Sequence, residues 1–284
     1  MSTATLTKPE SGQRPGPRTT TAASAEGRIG LRGNLRHIGA LARRNALQIK
    51  QDPESMFDVL LMPIVFTLLF TFVFGGAVEG NGNQSAYVNY LVPGLMAMMG
   101  MNVSMAVGSG VNEDFQKGVM DRFRTMPIAR SSVLVAKIVV EIGRMLVAFS
   151  ILLIVGWIMG LQITTSPLEV LAAVGLSILF GASLMWIFIL IGLTVKTAQA
   201  VQGMAMLVLM PLQFGSSIMA KPDTMPGWLQ TFTDYNPISN LADAVRGLFR
   251  GGPVAHDVWM VLAWSAAITL VTAPVAIRRF RNKT

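Results

Sequence analysis

Apolar residues occur in six long runs separated by short polar segments. The runs cover about residues 57–78, 90–111, 134–161, 169–195, 198–220 and 258–277. A helix that crosses a hydrocarbon core of about 30 Å needs roughly 20 apolar residues, because it rises about 1.5 Å per residue. The pattern therefore predicts an all-α integral membrane fold with six transmembrane helices. The break between the fourth and fifth runs is short and is centred on Lys196.

The runs belong to one predicted domain, residues 29–284, and a polar tail precedes it at residues 1–28. We expect this tail to be disordered and cytoplasmic. Between Leu31 and Gln51, apolar residues recur near helical spacing among Arg and Lys. Such a segment is typical of an amphipathic helix lying on anionic lipid headgroups. The alternative is a cytoplasmic helix that packs on a partner protein.

The basic residues are distributed unevenly around the runs. Most of the 23 Lys and Arg residues lie before the first run, between the second and third, and after the sixth. Only Lys221, Arg246 and Arg250 fall on the opposite side. Because cytoplasmic loops carry the positive excess, both termini are predicted to be cytoplasmic. The formal charge is +8, but most of the basic residues lie beside the apolar runs and do not form a basic surface on a soluble domain. We therefore expect no nucleic-acid partner.

Composition agrees with this assignment and removes several kinds of site. Hydrophobic residues make up 52% of the chain and charged residues 13%, which is too apolar for an ordinary soluble surface. There are no cysteines, so disulfides and thiolate metal sites are excluded. The two histidines, His37 and His256, lie on predicted opposite sides. A membrane enzyme with a histidine-based site is therefore disfavoured.

The loop between the second and third runs mixes bulky apolar residues with dense charge. Phe115, Val119, Met120 and Phe123 recur near helical spacing, with acidic and basic residues between them. This pattern predicts a short docking helix whose apolar stripe fits a groove on a soluble partner. A loop bound to lipid headgroups is the alternative.

The loop segment GVMDRFRTMPIAR at residues 118–130 is followed by SSVLVAKIVVEIGR at residues 131–144. These segments resemble the daunorubicin- and doxorubicin-resistance family of type-2 ABC export permeases. The family pattern is an acidic residue, a Gly, an acidic residue with Arg, a Thr or Ser, and Pro. It is matched by Glu113 or Asp114, Gly118, Asp121 with Arg122, Thr125 and Pro127. Nearer the carboxy end, MPGWLQTFTDYNPISNLADAVRGLF is similar to the last extracellular segment, with Asn236-Pro237 opening a short helix.

The resemblance implies a pair of identical permeases in the bacterial cytoplasmic membrane. Each would have an amino-terminal interfacial helix, a cytoplasmic coupling helix between spans two and three, and re-entrant helices before span six. It also implies two ATP-binding subunits that hold ATP and Mg, and export of a lipophilic drug, lipid or glycan-like cargo. The implied coupling residues are Glu113, Asp114, Phe115, Gly118, Val119, Asp121, Arg122, Phe123 and Pro127.

The source of energy can also be argued from the residues. A phosphate-binding loop of the form GxxxxGK[ST] does not occur in the sequence. The chain itself is therefore predicted not to hydrolyse ATP and to need no cofactor of its own. An ion-coupled carrier usually has ionisable residues near the membrane midplane, and none lies near the middle of the second, fourth, fifth or sixth run. A secondary carrier or channel remains the alternative to the ATP-driven exporter.

Two further patterns concern the spans themselves. Lys137, Glu141 and Arg144 share one face of the third helix by their spacing. They form either an ionic relay from the docking helix or a group that snorkels to the headgroups, with Glu141 and Arg144 paired. Small residues at four-residue spacing predict close helix packing, within one chain rather than between two. These are Gly100, Ser104 and Gly108, Gly156 and Gly160, and Ser177 and Gly181.

Overall fold

The chain is described by a computed structural model that covers residues 53–78, 84–119, 130–218, 220 and 222–283. The predicted tail, the amphipathic segment before Gln51 and loop residues 120–129 lie outside the described residues. Within the described ranges the regular structure is helical, with no strand. The helices are α1 (Pro53–Val78), α2 (Gln84–Gln116), α3 (Arg130–Ile158), α4 (Pro167–Thr194), α5 (Ala198–Phe214), α6 (Gly227–Tyr235), α7 (Pro237–Arg250) and α8 (Ala255–Lys283). A short 3₁₀ turn, Pro222–Thr224, precedes α6.

Four helices in the described part of the chain are long and apolar enough to cross a membrane: α2, α3, α4 and α8. Two shorter apolar stretches are Val59–Val73 of α1 and the whole of α5. For the described residues, the prediction of a helical protein with several helices able to cross a membrane is therefore confirmed. The count of six spans remains a prediction, as do the interfacial, coupling and re-entrant helices. The short helices α6 and α7 lie between α5 and the final apolar helix.

Helix α2 lies at the centre of the bundle. It packs against α1, α3, α4, α5 and α7, and 83% of its most apolar stretch is buried, against 17% for α8. Its core side chains include Tyr87, Leu91, Met96 and Met101. Unbranched methionine fills irregular space in such a core. The methionines of α2 therefore contribute to internal packing in this chain.

The contact between α2 and α4 is made by small residues. Ser104 Oγ donates to the Gly181 carbonyl at 2.8 Å. A Cβ atom added at Gly192 would lie 2.3 Å from the Gly108 carbonyl oxygen, so the two backbones are in direct contact. The small residues predicted from spacing are thus used inside one chain, which confirms that expectation for this pair of helices.

Two apolar runs end earlier as helices than their hydropathy indicates. Helix α3 stops at Ile158, where Gly160 takes a φ of +100° and the Leu161 amide donates to the Gly156 carbonyl at 2.8 Å. This is the glycine-dependent termination known as the Schellman motif. Helix α5 stops at Phe214, with Gly215 as its C-cap, and Asn236 Nδ2 donates to the Leu212 carbonyl at 2.8 Å and to the Gly215 carbonyl at 2.9 Å. Polar side chains thus satisfy its last carbonyls.

The α2–α4 contact yields a stability prediction. Replacing Gly192 by Ala forces a Cβ into the Gly108 backbone, and overpacking of this kind costs about 1–3 kcal/mol. The matched control is Gly175→Ala on the same helix, where an added Cβ has no heavy atom within 4 Å. We expect Gly192→Ala to lower the thermal unfolding midpoint of the detergent-purified protein, and Gly175→Ala to leave it unchanged or raise it. Equal midpoints for the two variants would contradict the assigned contact.

Candidate functional site

The last turn of α2 leads directly into the loop that the sequence singles out. The helix ends at Gln116, and Gly118 follows with a φ of +67°. Residues with a Cβ are disfavoured in this left-handed conformation. Gly118 therefore stops the helix and turns the chain towards residues 120–129. This gives a physical reason for a glycine at that point of the motif.

The end of α2 is fastened to the turn between α4 and α5. Asn112 Nδ2 donates to the carbonyls of Gly192, at 3.0 Å, and Val195, at 2.8 Å. Gln116 Nε2 donates to the Lys196 carbonyl at 2.7 Å. The last carbonyls of a helix have no partner within that helix. The two amide side chains of α2 supply those partners, so α2 and α4 end together.

A second attachment joins α2 to α3. Lys137 Nζ donates to the Gly110 carbonyl at 2.8 Å and lies 2.5 Å from Asp114 Oδ2. Arg144 instead pairs with Glu141 of its own helix at 3.0 Å. The structure therefore divides the three predicted relay residues between a contact with α2 and a local pair. Their role in a relay remains a prediction.

A third attachment joins α2 to the end of α8. The Phe115 ring meets the Phe280 ring edge-on, with centroids 5.7 Å apart. Lys283 Nζ lies 4.9 Å from the Phe115 ring centroid. Phe115 was predicted as part of a docking stripe, but here it contacts another helix of its own chain. We call the last turn of α2 with these three attachments the inner cluster.

The other predicted coupling residues fall into two groups. Glu113 forms an exposed pair with Lys117 at 3.0 Å, and Val119 is partly buried at the end of the described segment. Asp121, Arg122, Phe123 and Pro127 lie outside the described residues. Of the predicted set, Asp114, Phe115 and Gly118 are therefore the ones to which the structure gives a clear local task.

The opposite end of α2 carries a polar cluster that sequence reasoning missed. The Arg246 guanidinium of α7 donates hydrogen bonds to the carbonyls of Tyr90, Ser217 and Ile218, to Ser217 Oγ and to Asp243. It also lies 3.7 Å from the centroid of the Tyr90 ring, and its side chain is only 14% exposed. Arginine has five N–H donors in a fixed plane. All five are used here, and we call this group the outer cluster.

Helix α7 is held in place from both ends. Asn236 caps its start by accepting from the Ile238 amide at 3.0 Å, and Pro237 follows at the first helical position, as the sequence predicted. At its other end, Thr165 Oγ1 donates to the Leu248 carbonyl at 2.6 Å. Helix α7 therefore connects α2, the segment after α5 and the α3–α4 turn.

An open cleft of about 460 Å³ lies beside the outer cluster. Among the residues that the structure describes, no three His, Asp or Glu side chains are grouped so as to hold a metal ion. The cleft is lined by Ala86, Asn89, Tyr90, Arg246, Gly247, Arg250, Gly251, Gly252 and Pro253.

Two sequence signals would have indicated the residues that were missed. Asn112 follows Gly100, Ser104 and Gly108 at four-residue spacing, so it belongs to the same α2 face. Arg246 is a basic residue within an amphipathic stretch, three positions after Asp243. Neither signal identifies the partner on another helix, which is the information that only the fold supplies.

Comparison with known proteins gives consistent matches along most of the chain. Residues 36–249 match the family described as ABC-2 type transporter. The chain is 34% identical over 281 residues to the daunorubicin resistance ABC transporter permease protein DrrB1 of Streptomyces coeruleorubidus, covering 93% of this chain and 99% of that protein. It is 23% identical over 235 residues to the probable doxorubicin resistance ABC transporter permease protein DrrC of Mycobacterium tuberculosis, covering 82% and 84%. It is also 23% identical over 229 residues to the putative transport permease ycf38 of Cyanophora paradoxa, covering 80% and 77%.

The outer cluster yields a second prediction. Arg246→Gln removes the guanidinium, so Asp243 keeps only its bond from Ser217 Oγ and the carbonyls of Tyr90 and Ser217 lose this donor. Arg246 is largely buried whereas Asp243 is 40% exposed, and leaving buried acceptors without a donor costs about 1–3 kcal/mol, so we expect a clear fall in the unfolding midpoint in detergent. Arg250→Gln, on the exposed side of the same helix, is the matched control, and surface changes are usually within about 0.5 kcal/mol. Similar midpoints for both variants would mean that the outer cluster does not stabilise the fold.

Proposed function

This chain belongs to the ABC-2 type transporter family and is a multi-pass membrane permease, and we propose that it exports a lipophilic cargo with energy from ATP. The observation that carries the proposal is the 34% identity to a daunorubicin resistance permease over 93% of this chain. A family of ABC permeases implies an ATP-binding partner subunit. The absence of a GxxxxGK[ST] run from the sequence fits this division of labour.

The partner is proposed to dock on the loop that follows Gly118. The inner cluster supports this, because it attaches the base of the loop to α3, α4 and α8 through Lys137, Asn112 and Phe115. A loop that is attached in this way can transmit a displacement to several helices at once. Asp121, Arg122, Phe123 and Pro127 are proposed to form the docking surface itself, with Glu113 at its exposed edge.

The orientation and the assembly of the exporter are part of the same proposal. We place both termini and the inner cluster on the cytoplasmic side of the bacterial cell membrane, in keeping with the positive excess there. The outer cluster then lies on the outer side. Two copies of the permease and two ATP-binding subunits are proposed for the complete exporter. Large apolar side chains on the outside of α5, such as Leu207 and Phe214, provide surface for lipid or for a second copy.

The cargo is proposed to be a lipophilic drug, with a lipid or glycan-like molecule as the alternative. The support is the printed description of the relatives, which names daunorubicin for one and doxorubicin for another. No group of acidic or histidine side chains suited to a metal is present in the described residues. Selection of cargo would then depend on apolar surface and shape.

The proposal is tested with inverted membrane vesicles that contain the full chain and its ATP-binding partner. In such vesicles the cytoplasmic face is outside, so an exporter moves daunorubicin inwards when ATP is added. We expect ATP-dependent uptake that is lost when the partner is left out or when a non-hydrolysable analogue replaces ATP. Uptake that follows a proton or sodium gradient without ATP would instead identify a secondary carrier. If no uptake of daunorubicin occurs with either, a panel of lipids decides between the cargo classes.

The docking surface yields a separate prediction. Phe123→Asp places a charge on the predicted apolar stripe, and desolvating an unpaired charge at an interface is unfavourable. We expect co-purification of the ATP-binding partner to be lost, while the amount of permease in the membrane is unchanged. Phe123→Leu keeps the apolar character and is the matched control. Phe115 is less suited to this test, because its ring already packs against Phe280. Undiminished co-purification with Phe123→Asp would count against the docking surface.

A further inference from the structure

The end of α8 is basic and exposed, with one exception. Arg278, Arg279, Arg281 and Lys283 are exposed, whereas Phe280 among them is only 2% exposed. Its ring is buried against Phe115 of α2. A basic helix end of this kind could be held by headgroups alone. The buried aromatic residue shows that this one is also packed against the inner cluster.

Lys283 makes a bridge between two other helices. Its Nζ atom donates to the Leu193 carbonyl at the end of α4 at 3.1 Å and lies 4.9 Å from the Phe115 ring centroid. A cation near an aromatic face is attracted to the ring quadrupole. The same side chain therefore contacts α2 and α4 within one turn of the base of the docking loop.

Helix α8 also reaches the other end of the molecule. It contains 29 residues, which corresponds to a length of about 43 Å at about 1.5 Å per residue. Besides α4, it packs against α7, the helix that carries Arg246. Close to its start, Val254 Cγ1 lies 2.3 Å from the position of a Cβ added at Gly247 of α7. One helix thus contacts both the inner cluster and α7.

We propose that α8 transmits movement of the docking loop to the outer end of the permease, and that Phe280 and Lys283 are the positioning residues that connect it to α2. This inference rests on the proposed function. A displacement of the loop by the ATP-binding partner moves the last turn of α2. Phe115 then moves the end of α8, because its ring is in contact with Phe280 and Lys283. The movement reaches α7 through the contact at the start of α8.

The inference is tested with the full chain and its ATP-binding partner in proteoliposomes, using daunorubicin as the probe. The quantity measured is the amount of daunorubicin moved per ATP hydrolysed. We expect Phe280→Ala to lower this ratio severalfold, because it removes the ring contact with Phe115. Lys283→Gln should lower it about two- to fivefold, as for a cation over a ring at an exposed site. Lys283→Arg keeps the positive charge and should leave the ratio as it is in the unchanged protein.

The matched control is Arg279→Gln, which removes one positive charge from an exposed position beside Phe280. It should leave the ratio unchanged, because Arg279 is exposed and the described contacts of the inner cluster do not include it. Since Lys283 is exposed, its variants test the inference even if Phe280→Ala fails to fold. A ratio that is unchanged in both Phe280→Ala and Lys283→Gln, or lowered equally by Arg279→Gln, would overturn the inference.

A second readout follows the movement itself. The sequence has no cysteines, so single labels can be placed by Lys117→Cys near the docking loop and by Trp259→Cys near the start of α8. Both side chains are exposed, at 68% for Lys117 and 70% for Trp259. With ATP, both labels should report a change in the otherwise unchanged protein. In the Lys283→Gln background the response at position 117 should persist and that at position 259 should be reduced.

The outcomes separate this inference from the function on which it rests. If the response at position 259 is undiminished in Lys283→Gln, α8 does not depend on this bridge and the inference is wrong while the proposed function stands. If ATP produces neither transport nor a response at position 117 in the unchanged protein, the proposed function fails and this inference fails with it.

Discussion

The direct contact between the backbones of α2 and α4 is the constraint on which the rest of the structure depends. It requires Gly108 and Gly192 to lack side chains and uses Ser104 to donate across to the Gly181 carbonyl. In a bilayer, helix association is driven by close packing and by hydrogen bonds between helices, because lipid tails are as apolar as the side chains. Such close contact fixes the position of α2 along its axis relative to α4. The other helices then pack around this pair.

Both clusters follow from the position of α2. At the inner end, Asn112 continues the small-residue face and reaches the last carbonyls of α4. At the other end, Tyr90 meets Arg246 of α7. Because so much of the surface of α2 is buried, its ends can move little without displacing the neighbouring helices. The inner and outer clusters are therefore two ends of one central element rather than separate sites.

Hydropathy and spacing were sufficient for much of the fold and for part of the candidate site. The apolar runs predict a multi-pass helical protein because bilayer thickness fixes the required length, and the four-residue spacing of Gly100, Ser104 and Gly108 predicts their packing. The motif predicts where the docking loop begins. Contacts between residues far apart in sequence were not predictable in this way. The pairing of Phe115 with Phe280 and the five hydrogen bonds of Arg246 depend on which helices become neighbours. No local sequence pattern contains that information.

The use of every donor of Arg246 resists the separation of α7 from α2. A lysine has three donors on a single nitrogen and could not serve the same acceptors in one plane. Separating the two helices would leave several carbonyls without their donor, at a cost of several kcal/mol by order of magnitude. A movement that opens a path between α7 and α2 is therefore disfavoured. Movements that keep the two helices together leave these bonds intact, so α7 and α2 would tilt as a unit instead of separating.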